Sequence, residues 1–393
     1  MSGVTIDRSE LARTLRDIGA DAWLLFDFHG INPVTNRVLG VTGGMATRRL
    51  FVFLPGEGDF VAVAHKIELK PVEGFPGKVV PYARWEELHE ALAPLVAGRT
   101  VAMEISSMDA VPYLDRVPHG VVELVTKLGG TVVSSAPLVT RFAACWLPSE
   151  VEDHTFAAEV IARVAQDALR KAVTSINEGL TESAMQAEVI RAMEAGGLEL
   201  ETPPIVAFGA NTASPHYEPI AGRDATLHEG DPVLLDLWGG RTKTSVFADQ
   251  TWMGFAGTHP PERLQLIWRT VREGRDQGIA TVQRTVAEGR PLAGYEVDRA
   301  VRAVIEAAGF GEAFVHRTGH SIDRELHGSG PHLDSYETLD DRHLMPGVGF
   351  SIEPGIYLPG ELGVRSEINM YWALTGPVVT PASPQTELIT QAS

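Results

Sequence analysis

The stretch Val348–Tyr357, VGFSIEPGIY, carries short apolar residues into a single carboxylate, Glu353, and is followed at once by Pro354 and Gly355. Val233–Trp238, VLLDLW, runs into Asp236 in the same way. Both read as strands whose charged residue is held by a sheet, which fixes a side chain more tightly than a loop does. In SEINMYWA the alternation of polar and apolar residues predicts a further strand with Glu367 on one face and Arg365, two residues earlier, on the same face. Between these strands lie amphipathic helical patterns, TESAMQAEVIRAMEAGG, ERLQLIWRTVREGRDQGIATVQRTV and YEVDRAVRAVIEAAGF. The C-terminal part is therefore predicted to be α+β.

Further towards the N-terminus the pattern changes. SELARTLRDIG predicts a helix ending at Gly19, and DAWLLF, RRLFVFLP, FVAVAH and TVAMEI predict short buried strands interleaved with helical EELHEALAPLVAG. This is an α/β arrangement with a mixed sheet and no catalytic cluster of its own. RFAACWLPSE breaks it, and Ser149 with Glu152 three residues on reads as a capping box opening a long helix. The expected domains are residues 1–145 and 146–393.

The chain has 393 residues, with 33 Lys and Arg against 51 Asp and Glu, for a formal charge of -18. That balance disfavours nucleic acid and anionic membranes as partners. Cys145 is the only cysteine, so an intrachain disulfide is excluded. With no run long enough to span a bilayer and no export signal at the N-terminus, a soluble cytoplasmic protein is expected.

Five residues in distinctive contexts, Asp236, Asp249 (VFADQTW), His320 (HRTGHSIDRELH), Glu353 and Glu367 (GVRSEINMYW), supply the donors for two metal ions. Two dications roughly 3.5–4 Å apart need anionic oxygens between them. Four carboxylates and one imidazole meet that need and do not suit a closed, cysteine-rich structural zinc site. Oxygen-rich ligation favours Mn(II), with Co(II), Zn(II) or Fe(II) as alternatives.

These motifs resemble the pita-bread metallopeptidases, a group that includes Xaa-Pro dipeptidase, aminopeptidase P, methionine aminopeptidase and the metal-free creatinase. GHSIDRELH, SIEPGIY, the Arg-x-Glu of VRSE and GANTASPHYEP carry the resemblance. It implies a pita-bread catalytic domain behind a creatinase-like N-terminal domain, which favours the proline-directed branch and a homodimer. It also implies roles. Asp236 would chelate one ion, Asp249 and Glu367 would bridge both, and His320 and Glu353 would complete the second. The nucleophile would be a water between the ions, with Glu353 as general base, His327 steadying the oxyanion and His216 serving substrate or leaving group. His316 is a weaker candidate for the proline side, and Arg365 would either brace a metal-bound carboxylate or hold the substrate carboxylate. The aspartates are thirteen apart, two more than is usual in the family, so GGRTKTSVFA must absorb the difference. No tyrosine stands in PPIVAFGA, where the family often has an aromatic hydroxyl.

Taken singly, Asp236 reads equally as a turn cap, Glu353 as a solvated strand end and His320 as a buried histidine. It is their order and contexts together that point to a metal site. His332 and His343 read as loop-surface residues, Gly328–Gly330 as a turn, and Asp340, Asp341 and Arg342 as a solvated turn. The expected activity is hydrolysis of Xaa-Pro bonds in small peptides, first in dipeptides. The alternatives are aminopeptidase P activity, a small-molecule hydrolase on the same scaffold and a binding module that has lost its chemistry.

Overall fold

The computed structural model describes residues 6–40, 46–176 and 178–392. The chain forms two compact units, Met1–Ala144 and Cys145–Ser393.

In the first unit six strands make one mixed sheet: β1 (Ala22–Asp27), β2 (Leu50–Pro55), β3 (Val61–His65), β4 (Lys78–Tyr82), β5 (Thr100–Met103) and β6 (Thr131–Ser134). Their order is β4-β3-β2-β1-β5-β6, and β2 alone runs against the rest. Helices α1 (Arg8–Asp17), α2 (Pro33–Leu39), α3 (Trp85–Val96), α4 (His119–Lys127) and the short α5 (Ala136–Val139) accompany it. Alternation along β1 explains the two layers of core. Trp23 and Leu25 pack with Leu11, Leu15, Val34 and Leu138, whereas Ala22, Leu24 and Phe26 pack with Leu88, Leu92 and Val121. A strand buried on both faces reads as the continuous apolar run seen in AWLLF.

The second unit opens with α6 (Pro148–Thr174). The helix starts one residue before the predicted cap: Pro148 takes the first position, where its missing N–H is harmless, and the Leu147 N–H donates to Glu150 Oε2 at 2.7 Å. Glu150, and not Glu152, closes the box.

Helix α7 (Glu182–Ala195) leads to a three-stranded antiparallel sheet, β7 (Ile205–Phe208), β8 (Pro232–Gly239) and β9 (Ala248–Phe255). Helices α8 (Glu262–Ala287) and α9 (Gly294–Ala307) follow. Strand parity decides what each face meets. Leu235, Leu237 and Trp252 pack on α6 and α7. Leu234 and Met253 point the other way, among Ile267, Trp268 and Val271 of α8 and Val301 and Ile305 of α9. Asp236, Asp249 and Thr251 share parity with Leu234 and Met253, so all three emerge on the α8–α9 side.

The rest of the unit is a four-stranded sheet in the order β10 (Ser321–Ile322), β11 (Gly349–Ile352), β14 (Ile368–Ala373), β15 (Gly376–Thr380), together with the hairpin β12 (Gly355–Leu358) and β13 (Leu362–Arg365). The strand predicted through VGFSIEPGIY is two strands, broken at Glu353–Pro354. The strand predicted through Arg365 and Glu367 is also two, broken at Ser366–Glu367. The breaks face each other, since Ile352 pairs with Ile368 on one side and Gly355 with Arg365 on the other. Pro354 has no N–H to donate, which ends one ladder and lets the next begin at a new angle.

Candidate metal centre

Asp236 and Asp249 come from neighbouring strands, in the pairs Asp236↔Thr251 and Trp238↔Asp249. The connection 240–247 absorbs its extra residues in a turn tied by Ser245 Oγ, which donates to the Thr242 carbonyl at 2.9 Å. His154 of α6 steadies the strand that leaves it by donating from Nδ1 to the Phe247 carbonyl at 2.7 Å. Asn369 locks Asp249 to β14, its Oδ1 accepting from the Asp249 N–H at 2.9 Å and its Nδ2 donating to the Asp249 carbonyl at 2.7 Å. Glu353 and Glu367 hang from the two facing breaks.

The five residues meet. Donor atoms of Asp249, His320 and Glu367 lie within 4.8 Å of one another, and all three residues are buried. His320 Nε2 is 3.5 Å from Asp249 Oδ2 and 3.3 Å from Glu353 Oε1. His320 Nδ1 lies 3.1 Å from the Ser321 carbonyl, which makes Nδ1 the N–H and leaves the Nε2 lone pair facing the carboxylates. Thr251 Oγ1 lies 2.8 Å from Glu367 Oε2 and 3.2 Å from Asp236 Oδ1, so its single proton serves one carboxylate at a time.

Arg365 is 3 % exposed. Its Nη2 donates to Asp236, its Nε donates to Thr251 Oγ1 at 2.8 Å, and Nη1 reaches the Tyr357 hydroxyl at 3.4 Å. Of its two expected roles, bracing a carboxylate fits this geometry. Holding a substrate carboxylate does not, because the guanidinium is turned into the protein.

Burial is the first cause that raises the pKa values of Asp249, Glu353 and Glu367. The like charge of Asp236 adds to it for Asp249, as that of Asp249 does for Glu367. Four carboxylates share one guanidinium here. Asp249 Oδ1 and Glu367 Oε1 are buried and have no hydrogen-bond partner among the described residues. Unpartnered buried carboxylate oxygens are costly unless a cation answers them. Two divalent ions fit this donor set, its charge and its orphaned oxygens.

Around the carboxylates stands a group of histidines. His327 packs edge-on against His320, ring centroids 4.3 Å apart. Its outer face is exposed, while burial of its inner side and the charges of His320 and Arg317 bring its pKa down to about 3. His316 donates from Nδ1 to the Arg317 carbonyl at 2.7 Å and accepts at Nε2 from the Tyr357 hydroxyl at 2.8 Å. Burial first, then Arg365, lowers its pKa to about 3. His216 lies in an exposed turn, an electrostatic neighbour of both His316 and His327.

A model of metallopeptidase family M24 matches residues 158–372. The chain belongs to metallopeptidase family M24. The family depends on a dinuclear metal, and the carboxylate cluster described above falls within the matched region. The probable dipeptidase PepE of Mycobacterium tuberculosis is 32% identical over 321 residues, 76% of this chain and 78% of that protein. An Xaa-Pro dipeptidase of Lactobacillus delbrueckii is 31% identical over 195 residues, 49% of each. The chain spans half the length of an uncharacterized peptidase of Schizosaccharomyces pombe, to which it is 33% identical over 243 residues. The crystal structure of dipeptidase PepE from Mycobacterium ulcerans superposes with a TM-score of 0.72 at 22% identity, covering 98% of this chain and 96% of that one. Nearly the whole chain thus has the pita-bread M24 architecture, with the creatinase-like unit in front.

Two loop expectations are corrected. His332 is buried, not on a loop surface, and its Nδ1 accepts the Ser321 N–H at 3.0 Å, next to His320. Asp340 and Arg342 are buried too. They form an ion pair, Arg342 Nη2 to Asp340 Oδ2 at 2.6 Å, while Arg342 Nη1 donates to the Ser329 carbonyl at 2.7 Å and the His332 N–H to Asp340. Only Asp341 and His343 are exposed as expected. Asp298 of α9 performs the same service nearby, accepting from Thr318 N–H and Oγ1 and from Ser335 N–H and Oγ. These carboxylates set the loop that presents His320 and His327.

Sequence reasoning overlooked Thr251 and Tyr357. Thr251 was visible in principle, because a residue two after Asp249 on a strand shares its face. Tyr357 lies within SIEPGIY, but its part in the site depends on β12 pairing with β13, which no local pattern announces.

Proposed function

We propose that this M24 metallopeptidase is an exopeptidase that hydrolyses Xaa-Pro bonds, preferentially in dipeptides. The observation that carries the reading is the ring of Asp236, Asp249, His320, Glu353 and Glu367, with its unanswered oxygens and its correct histidine tautomer. These five residues would hold two divalent ions, Mn(II) first. When bound, the ions supply Lewis acidity to the scissile carbonyl and to the attacking water.

The chain's own residues do the rest. Glu353 Oε1 accepts from Ser351 Oγ at 2.9 Å, which orients the carboxylate, and burial raises its pKa towards that of a useful general base. His327 is held neutral, so it donates an N–H to a developing oxyanion without bringing a charge. His216, on the exposed turn beside it, moves a proton to the leaving nitrogen. That nitrogen belongs to proline and, like any amide nitrogen, must gain a proton to leave as an amine. His316, with Tyr357 behind it, forms the wall on the proline side.

The proline preference is supported by the Xaa-Pro dipeptidase among the relatives, and a cytoplasmic homodimer belongs to the same reading. The test is hydrolysis of Ala-Pro, Ala-Pro-Ala and Ala-Ala by chelator-stripped protein with and without Mn(II). Cleavage of Ala-Pro alone, dependent on Mn(II), is expected. Cleavage of the tripeptide as well moves the assignment to aminopeptidase P, and silence on all three despite bound metal overturns it.

A further inference from the structure

The first unit has a site that the metal chemistry does not use. A cavity of about 330 Å³ is lined by Phe26, Phe28, Arg48, Arg49, His65, Tyr82 and Trp85, among others. Phe26, His65 and Tyr82 stand at the carboxyl ends of β1, β3 and β4, while Arg49 precedes β2, the one strand that runs the other way. The mouth of an open α/β sheet on that side is where small ligands settle.

Its chemistry is specific. Phe28 is 37% exposed and Trp85 60% exposed, so two aromatic faces stand open to the mouth. Tyr82 is buried and its hydroxyl is committed to the Arg49 carbonyl at 2.7 Å. His65 is engaged at both ring nitrogens, Nε2 donating to the Ala83 carbonyl at 3.2 Å and Nδ1 accepting the Ile67 N–H at 3.4 Å. Arg48 is tied to Thr47 through Nη1, at 3.1 Å to the carbonyl and 2.9 Å to Oγ1. Glu68 lies close but spends its oxygens on Thr47 and the Arg48 N–H. The half-buried Arg49 guanidinium, by contrast, has the Tyr82 hydroxyl as a hydrogen-bonding neighbour but makes no ion pair with an acid among the described residues. Among the described residues no acid lines the cavity, although the chain as a whole carries a formal charge of -18.

A forked guanidinium with no acidic partner among the described residues, set among aromatic faces, matches a carboxylate attached to a flat or apolar body. We propose that this cavity binds a small organic carboxylate, its anionic end on Arg49 and its body against Trp85 and Phe28. The ligand is either a free acid or the C-terminal end of a short peptide with an apolar last residue. The site stands apart from the metal-centre reading, because no metal ligand lines it.

The test is a ¹⁹F NMR titration of the full-length, Mn(II)-loaded protein with 4-fluorophenylacetate, alongside 4-fluorophenylacetamide, which keeps the shape and removes the charge. Saturable binding of the acid is expected, with about tenfold weaker binding of the amide and of the acid to Arg49→Ala, the loss of one charge-assisted contact. Arg49→Lys keeps the charge without the fork and should fall between, and it serves as the readout should Arg49→Ala not fold. His320→Ala, at the metal centre, should leave binding unchanged. Competition by Gly-Gly-Phe but not by its C-terminal amide identifies a peptide end as the ligand; competition by neither confines the site to free acids. Equal affinity for acid and amide, no effect of either Arg49 variant, or loss of binding in His320→Ala overturns the proposal.

Discussion

Two buried groups of carboxylate show how differently one chain treats the same chemistry. In the first unit Glu104 is fully buried, yet each of its oxygens is met: Oε1 accepts from Trp23 Nε1 at 2.7 Å and Ser135 Oγ at 2.9 Å, and Oε2 from Asn32 Nδ2 at 2.9 Å. Those donors come from β1, the cap of α2 and the residue before α5, so the acid ties three elements together and leaves nothing over. In the second unit four carboxylates converge with one guanidinium, and two of their oxygens face no donor. A satisfied buried acid serves the fold, and an unsatisfied cluster is built for something that arrives later.

Stripping the metal should break this symmetry most sharply. Chelation is expected to abolish turnover and to lower the unfolding midpoint, because ions bind the native state alone. Restoring Mn(II) to a hundredfold excess over its Kd should return about 2.7 kcal/mol for each ion bound, read by calorimetry; a midpoint indifferent to metal would place no ions among these carboxylates. Asp249→Asn comes next. An amide cannot bridge two cations, so kcat on Ala-Pro should fall by about a thousandfold, while the metal-free protein should be no less stable, since one like charge has gone. Near-normal kcat would refute the bridging role. Thr251→Val keeps the volume but deprives Arg365 Nε and Glu367 Oε2 of a partner, at a cost of about 1–3 kcal/mol, and a roughly tenfold fall in kcat should follow.

Glu104→Gln should leave kcat untouched and act on stability alone. Burial, only partly offset by its three donors, raises the Glu104 pKa to about 7, above the unfolded value of about 4.3. Between those values the folded state holds a proton that the unfolded state has released. This group therefore makes stability fall as pH rises through that window, by about 1.4 kcal/mol per unit at most, and adds no slope above it. Denaturant titrations from pH 4 to 8 should show that slope in the parent and not in the glutamine variant. An unchanged slope would mean that another group is responsible.

How much of this was legible beforehand follows the same division. The five candidate positions, which the fold brings together, were readable because each sits in a short local context, an apolar run ending in an acid or a histidine among glycines. The strand that carries Asp236 was equally plain from its apolar run. What escaped was settled by partners distant in sequence. Asp340 and Arg342 look solvated until Ser329 and His332 close over them. His332 looks like a surface residue until the Ser321 N–H finds it. Arg365 could not be oriented without knowing that β13 ends opposite Asp236 and Thr251. The two strand breaks were hidden because an apolar run does not announce a change of sheet.

The break at Glu353–Pro354 has one more consequence, and it concerns the chain before it folds. A residue that precedes proline is barred from most helical backbone angles by the ring of its neighbour and held to extended ones. Glu353 thus keeps part of its native geometry in the unfolded ensemble, and less backbone entropy is lost when it docks. The acid assigned as general base owes that head start to covalent structure, independent of any packing around it.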